Sequence, residues 1–130
     1  MAYTINKTSG AVLTTIADGT IDTTSDLTLI GKNYAGYGEL QNENYVKLLE
    51  NFANTTQPGS PIAGQLWFDS TNSHLKIYIS GAVGFKRLSA LTSSTSAPSN
   101  NTTGDLWWDS DDKQLHAWAG SAFILVGPPA

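Results

Sequence analysis

Gly104-Asp-Leu-Trp-Trp-Asp-Ser110 is the second occurrence of a pattern that first runs as Gly64-Gln-Leu-Trp-Phe-Asp-Ser70, forty positions earlier. The agreement extends to both sides of it. Leu75-Lys-Ile-Tyr78 returns as Leu115-His-Ala-Trp118, and Pro58 ahead of the first copy is matched by Pro98 ahead of the second. Each copy then runs into a further apolar stretch, Gly84-Phe-Lys-Arg-Leu88 and Ser121-Ala-Phe-Ile-Leu-Val126. A fixed internal layout used more than once marks a small structural unit. Two copies do not make a solenoid, so they read as beads on a string.

Within each copy the side chains alternate, as they do along a strand. Leu66 and Phe68 fall on one side with Leu75, Ile77 and Ile79; Trp67, Asp69 and Tyr78 fall on the other. Leu106 and Trp108 share a side with Leu115 and Ala117, leaving Trp107 and Trp118 behind. Asp69-Ser-Thr-Asn-Ser73 has the composition of a turn that hydrogen-bonds its own backbone. The expectation is two three-stranded β-meanders, at 58–91 and 98–130, joined by a linker at 92–97 within the Ser/Thr/Asn/Pro-rich stretch Leu91–Thr103. Both sheet faces carry large aromatics, and no helix is at hand to cover them. Identical chains shielding one another would solve this, because units of this size bury little core alone.

The stretch before the repeats, 1–57, reads as a β-plus-helix module. Tyr3–Thr8 and Val12–Ile16 alternate around Ser9-Gly10, a hairpin signal. Asp18-Gly19 is a second turn, followed by short strand candidates at Thr20–Thr24 and Leu27–Ile30. Gly31–Gly38 reads as a loop. Tyr45, Leu48, Leu49, Phe52 and Ala53 lie at the spacing of an amphipathic helix, with Asn42 as its N-cap and Glu43 in its first turn. The fold class is therefore mainly β with one central α-helix.

Composition narrows the function. The chain of 130 residues carries no Cys, only 14% charged residues and a net charge of −4. Without a basic patch, binding to phosphate backbones is disfavoured. No apolar run approaches membrane-spanning length, and neither a membrane span nor a signal peptide is expected. All four Trp lie in the repeats. As a sugar platform, Trp107 and Trp118 with Asp109 would hold a glycan; as structure, they supply buried area that small sheets lack. The equivalence of Trp67 with Trp107 favours structure. Asp109, Asp111 and Asp112 suggest Ca²⁺, but their counterparts Asp69, Thr71 and Asn72 read as a turn. His74 and His116 occupy non-equivalent positions and have no nucleophile beside them. The three Asn-x-Thr sequons, at Asn6, Asn54 and Asn101, matter only in a glycosylating pathway. No cofactor, metal site or catalytic constellation is expected.

The pattern Gly-x-Leu-Trp-aromatic-Asp-Ser, with Leu-x-x-(Tyr/Trp) and a following apolar strand, resembles short repeats of tailed-bacteriophage virion proteins, tail fibres especially. The opening, Tyr3-Thr-Ile-Asn-Lys-Thr through Leu29-Ile-Gly-Lys-Asn-Tyr-Ala-Gly-Tyr-Gly-Glu to Leu49-Glu-Asn-Phe, is similar to the N-terminal region of fibre-like proteins of contractile-tailed phages. The resemblance implies a non-enzymatic virion component, homotrimeric, anchoring to other virion proteins and serving host adhesion. It also implies a short version or an N-terminal piece of a longer fibre. Leu48, Leu49, Phe52, Trp67, Phe68, Trp107 and Trp108 are the expected intersubunit contacts. The rivals are a carbohydrate-binding module and a head- or neck-attached fibre or decoration protein.

Overall fold

A computed structural model describes residues 1–129. The chain is mainly β with one helix and several small sheets, and it divides into two compact units, 1–87 and 88–130.

The first unit opens with a hairpin. Strands β1 (Tyr3–Asn6) and β2 (Val12–Ile16) pair antiparallel, with a bulge where Asn6 meets Val12. Ile16 at its end is 2% exposed, the largest fully buried side chain among the described residues. Two short strands, β3 (Ile21–Asp22) and β4 (Leu29–Ile30), form a second pair. Gly31 closes β4 against Ile16. A Cβ there would lie 2.5 Å from the Ala17 carbonyl oxygen and 2.9 Å from Ile16 Cγ2, so only glycine fits. Asp22 accepts from the hydroxyls of Thr24 (2.6 Å) and Thr14 (2.8 Å), which hold its carboxyl below the usual range.

Helix α1 spans Tyr37–Leu49. It begins five residues before the expected N-cap, Asn42. Gly36, in the left-handed region at φ 77°, turns the chain into it, with no capping side chain. Two residues beyond Asn42, Asn44 is spent elsewhere: its amide donates to the Thr28 carbonyl (2.6 Å) and accepts from the Thr28 N–H (2.9 Å), fastening the helix beside β4. The helix also stops before Phe52 and Ala53. Phe52 N–H donates to the Lys47 carbonyl and Asn51 N–H to that of Leu48, with Asn51 at φ 52°. This pairing is a Schellman motif, with Asn in the position glycine usually takes.

Beyond the helix, β5 (Leu66–Asp69), β6 (His74–Ser80) and β7 (Gly84–Arg87) form an antiparallel sheet in sequence order. It belongs to the same compact unit as the N-terminal strands, and the expected boundary at 57/58 is bridged. Asp26 is the brace: its carboxylate accepts from Ser60 N–H and Gln65 Nε2 (both 2.9 Å), and its carbonyl accepts from Lys47 Nζ.

The second unit holds a four-stranded sheet, β11-β10-β9-β8. Strands β9 (Leu106–Asp109), β10 (Gln114–Trp118) and β11 (Phe123–Gly127) are antiparallel neighbours in sequence order. The fourth corrects an expectation. Leu91–Ser94, placed at the start of the linker stretch, is strand β8, pairing parallel with β9 from Leu91↔Leu106 to Ser94↔Asp109.

Candidate functional site

The repeat builds the same slot twice, and each slot is made from one Trp, one Asp and a length of upstream backbone. In the first, Trp67 and Asp69 point to one face of β5 and are 6% and 3% exposed. In the second, Trp107 and Asp109 are 8% and 7% exposed. Trp67 Nε1 donates to the Asn54 carbonyl (3.3 Å) and Trp107 Nε1 to that of Ser94 (3.2 Å). The same carbonyls accept from Ser70 N–H and Ser110 N–H, each at 3.1 Å. Asn54 also forms an isolated parallel bridge with Asp69, the counterpart of Ser94 beside Asp109. The repeat thus begins near residues 51 and 91, before the proline where sequence likeness starts.

The aspartates cap the turns. Asp69 Oδ1 accepts from the N–H groups of Thr71 (3.1 Å) and Asn72 (3.3 Å), Asp109 Oδ1 from those of Asp111 (3.0 Å) and Asp112 (3.3 Å). Ser73 and Lys113 close the two turns at φ 56° and 58°. The carboxylates that suggested Ca²⁺ are thus arranged as the first copy arranges a turn without that charge, and no cluster of three metal-ligating side chains occurs among the described residues.

The slots differ in what lies on the indole. In the first, Lys76 Nζ sits 4.8 Å from the Trp67 ring centre and 2.9 Å from Asp69 Oδ2. Hydrogen bonds from Lys76 and Asn72 hold the Asp69 carboxyl well below the usual range. In the second, His116 stacks on Trp107 at 4.7 Å with the planes 25° apart, and Phe123 packs at 5.2 Å. The sequence reading treats His116 only as a histidine without a nucleophile and gives Lys76 no role. Their alignment opposite Trp67 and Trp107 on neighbouring strands was the available signal.

This geometry redistributes the expected contact residues. Trp67 and Trp107 are buried by their own units and leave little indole for a neighbouring chain. Trp107 and Asp109 likewise offer no open platform to a sugar, and Trp118 is half-buried with its ring against Phe123 at 5.0 Å. Two members of the rival glycan triad, Trp107 and Asp109, are therefore closed to a sugar, while Trp118 stays partly exposed.

No protein-family model, curated protein or solved structure matches this chain.

What remains open is the opposite face of each sheet. Leu66, Phe68, Leu75 and Ile77 in the first unit, and Leu106, Trp108, Leu115 and Ala117 in the second, are only half-buried. On β11, Ile124 and Val126 are 60% and 62% exposed. No residue of α1 is buried; Tyr45, Val46, Leu48 and Leu49 are all exposed, Leu49 at 83%. Leu48 and Phe52 line an apolar cavity of about 270 Å³ with Ile5, Leu13, Leu27, Leu29 and Ile62. Phe52, half-buried, serves its own unit at least as much as any partner.

Proposed function

We propose that this chain is a non-catalytic structural component of a tailed-phage virion, a tail-fibre protein or its N-terminal part, working as a homotrimer. In this reading it docks on other virion proteins and contributes to host adhesion through assembly. The repeat pattern and the opening stretch carry the likeness to such proteins. The observation that carries the oligomer is the exposed apolar surface. Two small units each bury one face of a sheet and leave the other half-clad, while a helix shows five large apolar side chains to solvent. Surface of this kind marks an interaction site. Asp69, Asp109, Lys76 and both indole N–H groups are engaged in turns, an ion pair and backbone hydrogen bonds, which supports a structural use of the slots.

Leu48, Leu49, Phe68 and Trp108 are the contacts this reading keeps from the original seven. Native mass spectrometry with light scattering tests it. A trimer at micromolar concentration is the expected result, and a well-folded monomer over the same range overturns the assembly reading.

A further inference from the structure

Three tyrosines of the first unit share one cleft. Tyr3 from β1, Tyr34 from the loop after β4 and Tyr37 from the first turn of α1 line a cavity of about 540 Å³ with Lys32, Asn33 and Gln41. Small-molecule sites occupy about 300–1,000 Å³, so the size is that of a ligand site. Tyr37 and Gln41 reach it together because positions i and i+4 lie one above the other on a helix. Trp67 and Trp107 are buried in their own units, whereas Tyr3 and Tyr37 are exposed and Tyr34 is half-buried.

Backbone contacts set the walls of this cleft. Gly31 has no room for a side chain, the Lys32 carbonyl accepts from Gly19 N–H (2.6 Å), and Tyr34 N–H donates to the Gly31 carbonyl (3.4 Å). Asn33 is held between them at φ 63°. A site formed in advance lowers the ordering cost of binding.

The polar ends of the lining are free. Among the described residues, no hydrogen bond or ion pair engages the three phenol groups or the side chains of Lys32 and Asn33. Gln41 Nε2 donates to the Tyr45 hydroxyl (2.9 Å), which leaves the Gln41 amide oxygen as an acceptor. The cleft therefore offers aromatic faces, phenols and amides that donate and accept, one ammonium and no carboxylate. In a chain of net charge −4, that is a local reversal of sign. A sugar ring matches each part: its C–H face lies on an aromatic ring and its hydroxyls meet phenols and amides. A carboxylate on the sugar would pair with the ammonium through a charge-assisted hydrogen bond. Proline-rich peptides also use aromatic grooves, but they bring few donors for such amides. One cation is too few for a phosphate backbone.

We infer that the cleft between Tyr3, Tyr34 and Tyr37 binds an acidic saccharide, with Lys32 taking the sugar carboxylate and Asn33 and Gln41 the hydroxyls. The site lies within one unit of one chain. It is therefore independent of the virion and oligomer readings, and its test reads ligand binding rather than mass.

The full chain is titrated with oligosaccharides of galacturonate, glucuronate, mannuronate and sialic acid, each also as its neutral methyl ester, and the tyrosine ring resonances are followed. At least one acidic member should shift the rings of Tyr3, Tyr34 and Tyr37 saturably, with a Kd of about 1 mM or tighter. Its methyl ester should bind about fivefold more weakly. Lys32→Gln should bind acid and ester alike, and Tyr37→Ala should weaken both about tenfold. Both side chains are exposed, and backbone amide spectra check that each variant stays folded. The inference is overturned by the absence of saturable tyrosine shifts with every acidic member up to about 10 mM, by equal affinity for acid and ester, or by shifts confined to Trp118. Binding of a proline-rich peptide in the cleft with no saccharide bound also overturns it. The wild-type titration is decisive by itself if a variant fails to fold.

Discussion

Replacing Trp67 with Ala tests the claim that this indole belongs to its own unit. The side chain is 6% exposed, touches Phe85 edge-on at 5.3 Å, carries Lys76 above its ring and donates to Asn54 at 3.3 Å. Truncating a buried Trp costs about 3–5 kcal/mol. The long indole hydrogen bond adds little, because the Asn54 carbonyl keeps the Ser70 N–H as donor. A unit of 87 residues has a stability of about 4–13 kcal/mol, so the variant should lose between about a quarter and all of it. Trp67→Phe, which keeps most of the apolar area, should lose only about 1–2 kcal/mol. Phe68, one residue away on the half-open face, gives the contrast; Phe68→Ala should cost about 1–2 kcal/mol. Urea unfolding at fixed protein concentration, read at backbone amides of residues 1–87, measures all three. A loss under about 1 kcal/mol for Trp67→Ala, or an equal loss for Phe68→Ala, would refute the assignment of faces.

Three other perturbations follow from particular contacts. Leu49→Glu should leave the circular dichroism spectrum and melting of dilute protein unchanged within about 0.5 kcal/mol, yet reduce the native mass to that of a monomer. Gly31→Ala forces a methyl against the Ala17 and Thr20 carbonyls and Ile16, and should destabilise the first unit by about 1–3 kcal/mol in the same urea assay. The Asp69 carboxyl is held low chiefly by Lys76, so its contribution is present above the ordinary carboxylate range near ~4 and lost as pH falls through the lower folded value. Lys76→Met should therefore move acid unfolding of the first unit to higher pH, as read by amide signals during an acid titration.

Strands with alternating side chains were legible: β5, β6, β9 and β10 lie where the repeat and its period place them. The helix was legible in kind but displaced. Its stripe was counted from Tyr45 to Ala53, whereas the chain leaves the helix at Glu50 because Asn51 and Phe52 take positive φ. Asn42 looked like a cap, but the turn into the helix is made by Gly36, whose freedom of φ leaves no side-chain signature. The parallel strand Leu91-Thr-Ser-Ser94 has no apolar alternation and is held through its backbone against β9, so period-based reading assigned it to a linker. Alternation separated Trp67 from Phe68, and Trp107 from Trp108, correctly. It did not reveal which face the protein covers, because that depends on where segments 51–54 and 91–94 return.

That return has a consequence for anyone cutting or grafting these modules. A fragment trimmed to the visible motif, starting at Pro98, would discard the carbonyl that receives the Trp107 indole and strip β9 of its neighbour along one whole side. The transferable piece starts at Ala90, whose carbonyl accepts from Leu106 N–H, eight residues earlier in a stretch whose letters advertise nothing.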